Sequence, residues 1–322
     1  MTATVDREAF LAARATGLGG SDVAGALGLS PFDDSTPLDV YLRKKGLASE
    51  KEDTRAMRRG RRFEQWIAEE FEEDHDVKVV RDHPMMRHHD YPWMIAHIDG
   101  QIAGKREGLE CKSVGDWFRK DEWGEEGTSE VPMYYLCQCH HYLAVTGWER
   151  WHLAAWFGVT QPRYYVIERD EELIAWLIDK EAEFWGRVEA EDPPDPTNIE
   201  DCRKLWPRAQ ELTATELTPK IQYHISCYLE LQEQLKRLKD EADTHKFAVQ
   251  QQMADCEAVQ TNGAVVVTLK NVATRRIDTK RLKAEQPEIA TDYTNTTHSR
   301  RFLVTKAGKE LVRAAKEDAT HD

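Results

Sequence analysis

Asp99, Glu110 and Lys112 are the residues of this chain whose types and spacing best suit a reaction. Two carboxylates offer hard oxygen ligands to magnesium, which takes near-octahedral oxygen at about 2.0–2.1 Å and typically keeps water and substrate phosphate in its remaining positions. Mg2+ is therefore the expected ion, with Mn2+ able to replace it. Such an ion lowers the pKa of its water, and an ammonium beside it can orient that water and balance the developing hydroxide. The chemistry is phosphodiester hydrolysis.

The elements that must position this trio are short. Met94-Ile95-Ala96-His97-Ile98 is an apolar run ending in Asp99, and Gly100 beside it can take the positive φ of a tight turn, so Asp99 is predicted at a strand tip. Leu109 to Val114 alternates as a strand, and a period of two sends Glu110 and Lys112 to one face while Cys111 goes to the other. In a chain that is 32% charged, a Glu-x-Lys step alone reads as a solvated edge strand. The preceding Asp-Gly and the following helix set this one apart. That helix, Val131 to Gly147, has proline in its first turn and glycine at its C-terminal cap, with Tyr134, Gln138, His141 and Tyr142 on adjacent faces. Cys137, Cys139, His140 and His141 do not read as a zinc site, because consecutive helical positions diverge and no second ligand pair stands at zinc spacing. Upstream, Gly60 to Glu64 opens a helix whose Phe63, Trp66, Ile67 and Phe71 recur as core. Glu64 either reaches a cleft or joins the acidic surface of Glu69, Glu70, Glu72 and Glu73. Near the start, Gly19 and Gly20 permit a close backbone approach, and Ser21 is expected to cap a short helix whose free N–H groups suit an anion.

Ile98-Asp99-Gly100 followed by Glu110-Cys111-Lys112 resembles the PD-(D/E)xK nuclease core. More narrowly, Arg14-Ala15-Thr16-Gly17-Leu18-Gly19-Gly20-Ser21-Asp22, then Ser30-Pro31-Phe32 and a helix at about 37–45, resembles the opening of the YqaJ-like viral recombinases, relatives of lambda exonuclease. Arg275 to Leu282, Gln286-Pro287-Glu288 and Ser299 to Phe302 resemble their C-terminal region. The resemblance implies an α/β fold with a restriction-endonuclease-like core, a mixed central sheet flanked by helices, plus a C-terminal α+β region containing a long helix. It implies a Mg2+-dependent 5′-to-3′ exonuclease that resects double-stranded DNA ends, leaving 3′ overhangs for a single-strand annealing protein, and working as a homotrimer. On this reading Arg14 and Ser21 grip the terminal 5′-phosphate and Tyr134 lines the DNA groove. Asp99, Glu110 and the Cys111 carbonyl hold the metal, Glu64 lies near a second one, and Lys112 and Gln138 position the water. An endonuclease on the same core and a non-catalytic DNA-end-binding scaffold are the alternatives.

Glu191-Asp192-Pro193-Pro194-Asp195-Pro196-Thr197 cannot continue a helix, which sets an expected boundary. Residues 1–192 form the exonuclease domain and 198–322 a helical and small β region for DNA, oligomer or partner contacts. In the first, strands are predicted over 149–157 and 163–168 and a helix over 171–190. In the second, 216–256 reads as one long helix. Its Ile221, His224, Tyr228, Leu231, Leu235, Leu238, Ala242, His245 and Val249 make a 3-4 seam, that of a helical hairpin or coiled coil. A β-pair is predicted from 264–270 and 274–278. A net charge of −14 and a pI near 5.4 sit awkwardly with a DNA ligand. The acids, however, cluster in runs such as 121–130 and 170–191, while 270–283 and 300–313 are basic, so a local groove can stay positive. Six cysteines without a C-x-x-C pair, a mean hydropathy of −0.68 and no apolar run near the roughly 20 residues of a membrane span give a soluble, cytoplasmic expectation in a bacterial host. Trp117 and Trp123 flank an acidic stretch expected at the surface.

Overall fold

The structure is a computed structural model describing residues 12–48, 55–115, 120–158, 162–209 and 213–319. It divides into two compact units, Met1–Leu205 and Trp206–Asp322. The first unit runs β1 (Leu18–Gly19), α1 (Gly20–Ala26), α2 (Pro37–Lys44), α3 (Arg55–His75), β2 (Val79–Val80), β3 (Met86–Arg87), β4 (Met94–Ala96), β5 (Gly100–Ile102), β6 (Glu107–Val114), α4 (Met133–Thr146), β7 (Arg150–Phe157), β8 (Pro162–Glu168), α5 (Glu171–Glu189) and α6 (Ile199–Leu205). Its main sheet is five-stranded, in the order β2-β5-β6-β7-β8, with β6 and β7 parallel and the other neighbours antiparallel. A parallel neighbour needs a crossover, and α4 supplies it. A smaller sheet has the order β1-β4-β3. The fold is thus mixed α/β, with mixed sheets flanked by helices.

The pleat of β6 decides what each helix sees. Leu109 and Cys111 turn toward α3, where they join Ile67, Ala68, Phe71, Ile102 and Ala154 in one cluster. Glu110 and Lys112, in register with Leu153 and Ala155 of β7, turn the other way. On that face Cys139, Tyr142 and Leu143 of α4 pack with Trp151, Leu153 and Ala155. An acid and an ammonium therefore open into the edge of an apolar layer.

The second unit holds α7 (Pro219–Met253), β9 (Ala258–Thr261), β10 (Ala264–Thr268), α8 (Thr279–Glu285), α9 (Pro287–Asp292) and α10 (Lys306–Ala319). Here the structure corrects the expected β-pair: β10 pairs antiparallel with β9, and 274–278 is not a strand. The cause is the Asn262-Gly263 turn, both residues at positive φ (49° and 79°), the strongest two-residue hairpin signal.

Three more expectations are corrected. The prolines at 193–196 do not part the two units. The helix beyond them stays with the first, because Thr36 Oγ1 donates to buried Asp201 at 3.0 Å and Lys204 Nζ lies 2.6 Å from Asp39. Gly100 begins β5 without a positive φ; it is glycine because a β-carbon there would overlap a methyl group of Val79. Trp123 is core, against Tyr135, Phe157 and Tyr165, and not surface. Trp117 lies outside the described residues. No described helix is long and apolar enough to cross a membrane.

A buried ion pair ties α4 to α5. His141 Nδ1 lies 2.8 Å from Glu181 Oε2, and its Nε2 lies 2.9 Å from the Ile95 carbonyl, with His141 and Glu181 fully buried. Both ring nitrogens face oxygen acceptors, so the ring is held as imidazolium. Burial alone would lower the His141 pKa, but Glu181 outweighs it and the pKa is raised. A raised histidine contributes stability fully below its ordinary value of about 6.5, and that contribution fades as pH climbs through the raised value. Glu181→Gln should therefore cost about 1–3 kcal/mol near pH 6 and progressively less at higher pH. Melting temperatures of both proteins across this range check it, and parallel pH profiles would refute it.

Candidate active site

Glu110 is only 3% exposed, so its partners decide what it can do. Lys112 Nζ lies 2.5 Å from Glu110 Oε1. Gln138 Nε2, in the second turn of α4, donates to the same oxygen at 2.6 Å and to the Tyr142 hydroxyl at 3.0 Å. Glu110 Oε2 is buried and takes no hydrogen bond among the described residues. An unsatisfied buried acceptor costs on the order of 1–3 kcal/mol, more when charged. A cation is what would satisfy it.

Asp99 sits half-buried between β4 and β5, and its Oδ2 accepts the Cys111 N–H at 2.8 Å. The β5–β6 ladder registers Gly100 with Leu109 and stops there, so Asp99 takes the donor the ladder leaves. In a strand the N–H and C=O of one residue face the same edge. The Cys111 carbonyl therefore faces the Asp99 side, although its thiol is buried under α3. Burial first, and then neighbouring negative charge, raises the pKa of three carboxylates. Asp99 feels Glu64, Glu110 feels Asp99, and Glu64 feels Glu110. Glu64 is half-buried and joins this group rather than the acidic outer surface of α3. Burial alone would lower the Lys112 pKa, but Glu110 and its neighbours raise it, so the ammonium stays charged. Its Nζ also lies 5.1 Å from the Tyr135 ring centroid.

Three acids against one ammonium leave a deficit of positive charge that a divalent ion fits. Among the described residues, no three carboxylate, imidazole or thiol groups form a metal cage by themselves. Asp99, Glu110 and the Cys111 carbonyl would hold such an ion, leaving its other positions to water and phosphate, as magnesium commonly does.

A second cluster lies at the start of the unit. Arg14 Nη2 donates to Ser21 Oγ at 2.7 Å and lies 3.4 Å from Asp22. Lys44 Nζ reaches Asp22 at 2.7 Å and the Arg14 carbonyl at 2.9 Å, and Arg43 lies 3.6 Å from Asp22. Burial would raise the Asp22 pKa, but the three cations outweigh it and hold the carboxyl well below its usual range. Lys44 nonetheless has a lowered pKa, because burial and the two arginines outweigh its single acid. Three cations around one carboxylate leave a positive balance with Arg14 and Arg43 partly exposed, which suits a phosphate. Ser21 does not cap α1: Gly19 is the cap, and Asp22 accepts its N–H at 3.3 Å. Gly20 does make the expected close approach, since a β-carbon there would sit 2.6 Å from the Tyr142 ring.

Tyr134 is buried against Phe32 and Tyr135, with centroids at 6.1 and 4.3 Å, and it is Tyr135 that meets the lysine. The sequence reading missed Arg43, Lys44, Asp22 and Tyr135. The basic end of the helix at 37–45 was its available signal for the first two.

A mixed α/β unit with a buried acid–acid–lysine cluster and a separate cationic pocket is the class these features define. The chain belongs to the YqaJ family. It is 32% identical over 307 residues to "Uncharacterized protein YqaJ" of Bacillus subtilis (strain 168), covering 92% of this chain and 94% of that protein. Residues 9–149 match the YqaJ-like viral recombinase domain. Among solved structures, an alkaline exonuclease (LHK-Exo) from Laribacter hongkongensis matches with 20% identity and a TM-score of 0.47, over 57% of this chain and 94% of that one. A phage related exonuclease from Haemophilus somnus 129PT matches with 10% identity and a TM-score of 0.41, over 54% and 96%.

Proposed function

We propose that this chain is a Mg2+-dependent deoxyribonuclease that resects one strand of duplex DNA from its 5′ end and leaves a 3′ overhang. The observation that carries the reading is Glu110: one oxygen held between Lys112 and Gln138, the other buried and bare, with Asp99 beside it. Bound there, Mg2+ would polarise the scissile phosphate and lower the pKa of a coordinated water. Asp99, Glu110 and the Cys111 carbonyl would hold the ion, and Glu64 would stand near a second. Lys112 orients the water and balances the charge that develops on it. Gln138 fixes the Glu110 carboxylate with one amide N–H and the Tyr142 hydroxyl with the other, so it acts on the reacting groups through Glu110. The proposal includes duplex ends as substrate, a single-strand annealing protein as recipient of the overhang, and a trimer of the catalytic unit.

The test uses linear duplexes bearing a 5′-phosphate or a 5′-hydroxyl, and a covalently closed circle, each with and without Mg2+. Linear DNA should shorten from the 5′ end only with the metal, and the circle should survive. Cutting of the circle would favour the endonuclease, and no cleavage of any substrate would favour the scaffold. Arg14→Ala and Ser21→Ala should each weaken the preference for 5′-phosphorylated ends, by about 10- to 100-fold for the arginine, the worth of charge-assisted hydrogen bonds. An unchanged preference in both variants would reject the pocket.

A further inference from the structure

α7 is 35 residues long, roughly 50 Å at the rise of a helix, and most of it is bare. Every residue from Leu231 to Val249 is exposed, including Leu231 at 56%, Leu235 at 58% and Leu238 at 62%. Nearer its start the helix is partly covered, but along another line. Gln222, Ile225, Ser226, Cys227 and Leu229 are half-buried, while Tyr228 keeps 41% of its surface and meets only the edge of Phe302 among ring contacts of the described residues. The open line is the heptad seam, with Ile221, Tyr228, Leu235, Ala242 and Val249 at a and His224, Leu231, Leu238 and His245 at d.

We infer that α7 pairs with the α7 of a second copy of this chain as a parallel, in-register, two-stranded coiled coil. The flanking charges choose the partner and its direction. Positions e carry Ile225, Gln232, Lys239 and Lys246, and positions g carry Cys227, Gln234, Glu241 and Ala248. A parallel pair sets each g against the e five residues further along the partner, so Glu241 meets Lys246 and Gln234 meets Lys239, twice per dimer. An antiparallel pair sets e against e and g against g, and since no e position is acidic, neither lysine then faces an acid. β-branched Ile221 and Val249 at the end a layers, with Leu231 and Leu238 at d, agree with two strands, while Tyr228, Leu235 and Ala242 at the inner a layers make no choice. Histidines at the outer d layers weaken the pair but penalise shifted registers, which would bury them against leucine. The pairing uses the unit beyond Leu205 and is independent of the oligomer that the catalytic unit forms.

The experiment compares the full-length protein with a Leu231→Glu/Leu238→Glu variant by sedimentation equilibrium. Both leucines are exposed within the single chain, so their replacement removes no packing from it. The wild type should have twice the mass of the variant, and equal masses would overturn the inference. Direction is read by disulfide trapping in a Cys227→Ala/Cys256→Ala background. Val249→Cys should cross-link to itself, because equivalent a positions meet only in the parallel register. A mixture of His224→Cys and Val249→Cys chains that cross-links only between the two types would mean an antiparallel pair and overturn it. Glu241→Lys should raise the dissociation constant about 30-fold, as expected for losing two modest ion pairs and gaining two repulsions of similar size, and adding Lys246→Glu should restore it.

Discussion

Lys112→Ala should stop strand resection while leaving duplex binding in place. The ammonium is mostly buried, paired with Glu110 at 2.5 Å, and held charged by the acids around it. No water can replace it in that confined position with a fixed unit charge. On the proposed function its removal deletes the group that would steady the attacking water, and it leaves Glu110, Asp99 and Glu64 to repel one another, which lifts already raised carboxyl pKa values further. A loss of about 10³-fold or more in the single-turnover rate is expected from removing such a preorganised charge. Lys112→Arg should rescue little, because a planar guanidinium cannot occupy the place of a compact ammonium against Tyr135. A fluorescent-duplex resection assay, with gel-shift titration of the same DNA, separates the two readouts. Near-normal digestion by the alanine variant would remove Lys112 from the chemistry.

Asp22→Ala should strongly destabilise this unit. Asp22 and Lys44 side chains are 5% and 4% exposed, and removing the acid leaves a buried ammonium beside two arginines. Breaking one partner of a buried pair costs about 3–5 kcal/mol. The pH signature follows from the depressed Asp22 pKa. Its stabilisation is fully present above the ordinary carboxylate range, declines as pH falls below that range, and is gone once pH has fallen through the depressed folded value. Wild-type stability should therefore shed this contribution progressively as pH drops below the ordinary carboxylate range, and Asp22→Asn should lack it throughout. Urea unfolding at neutral and acidic pH checks both, and a loss below about 1 kcal/mol for the alanine variant would contradict the assigned pairing.

Period-two alternation exposed β6, and with it the shared face of Glu110 and Lys112, because a strand's pleat is a local property. The caps of α4 were equally local. What stayed hidden depends on contacts between distant segments. Asp201 reaches Thr36 across 165 residues, and nothing in the proline run at 193–196 announces that anchor. Asp99 was readable as an acid at the end of a strand, but not as the acceptor for the Cys111 N–H, which depends on where the β5–β6 ladder stops. Asn262-Gly263 is a local hairpin signal, but the valine-rich run after it reads as a strand on its own, and its pairing with the short stretch before the turn depends on contacts between the two.

Gly20 touches the ring of Tyr142, Tyr142 takes a hydrogen bond from Gln138, and Gln138 holds Glu110. This chain of contacts couples the cationic pocket directly to the acid cluster. Under the proposed function the protein then behaves as a ruler: the distance from anchored end to severed bond is built in, so the fragments released would share one length whatever the sequence of the strand.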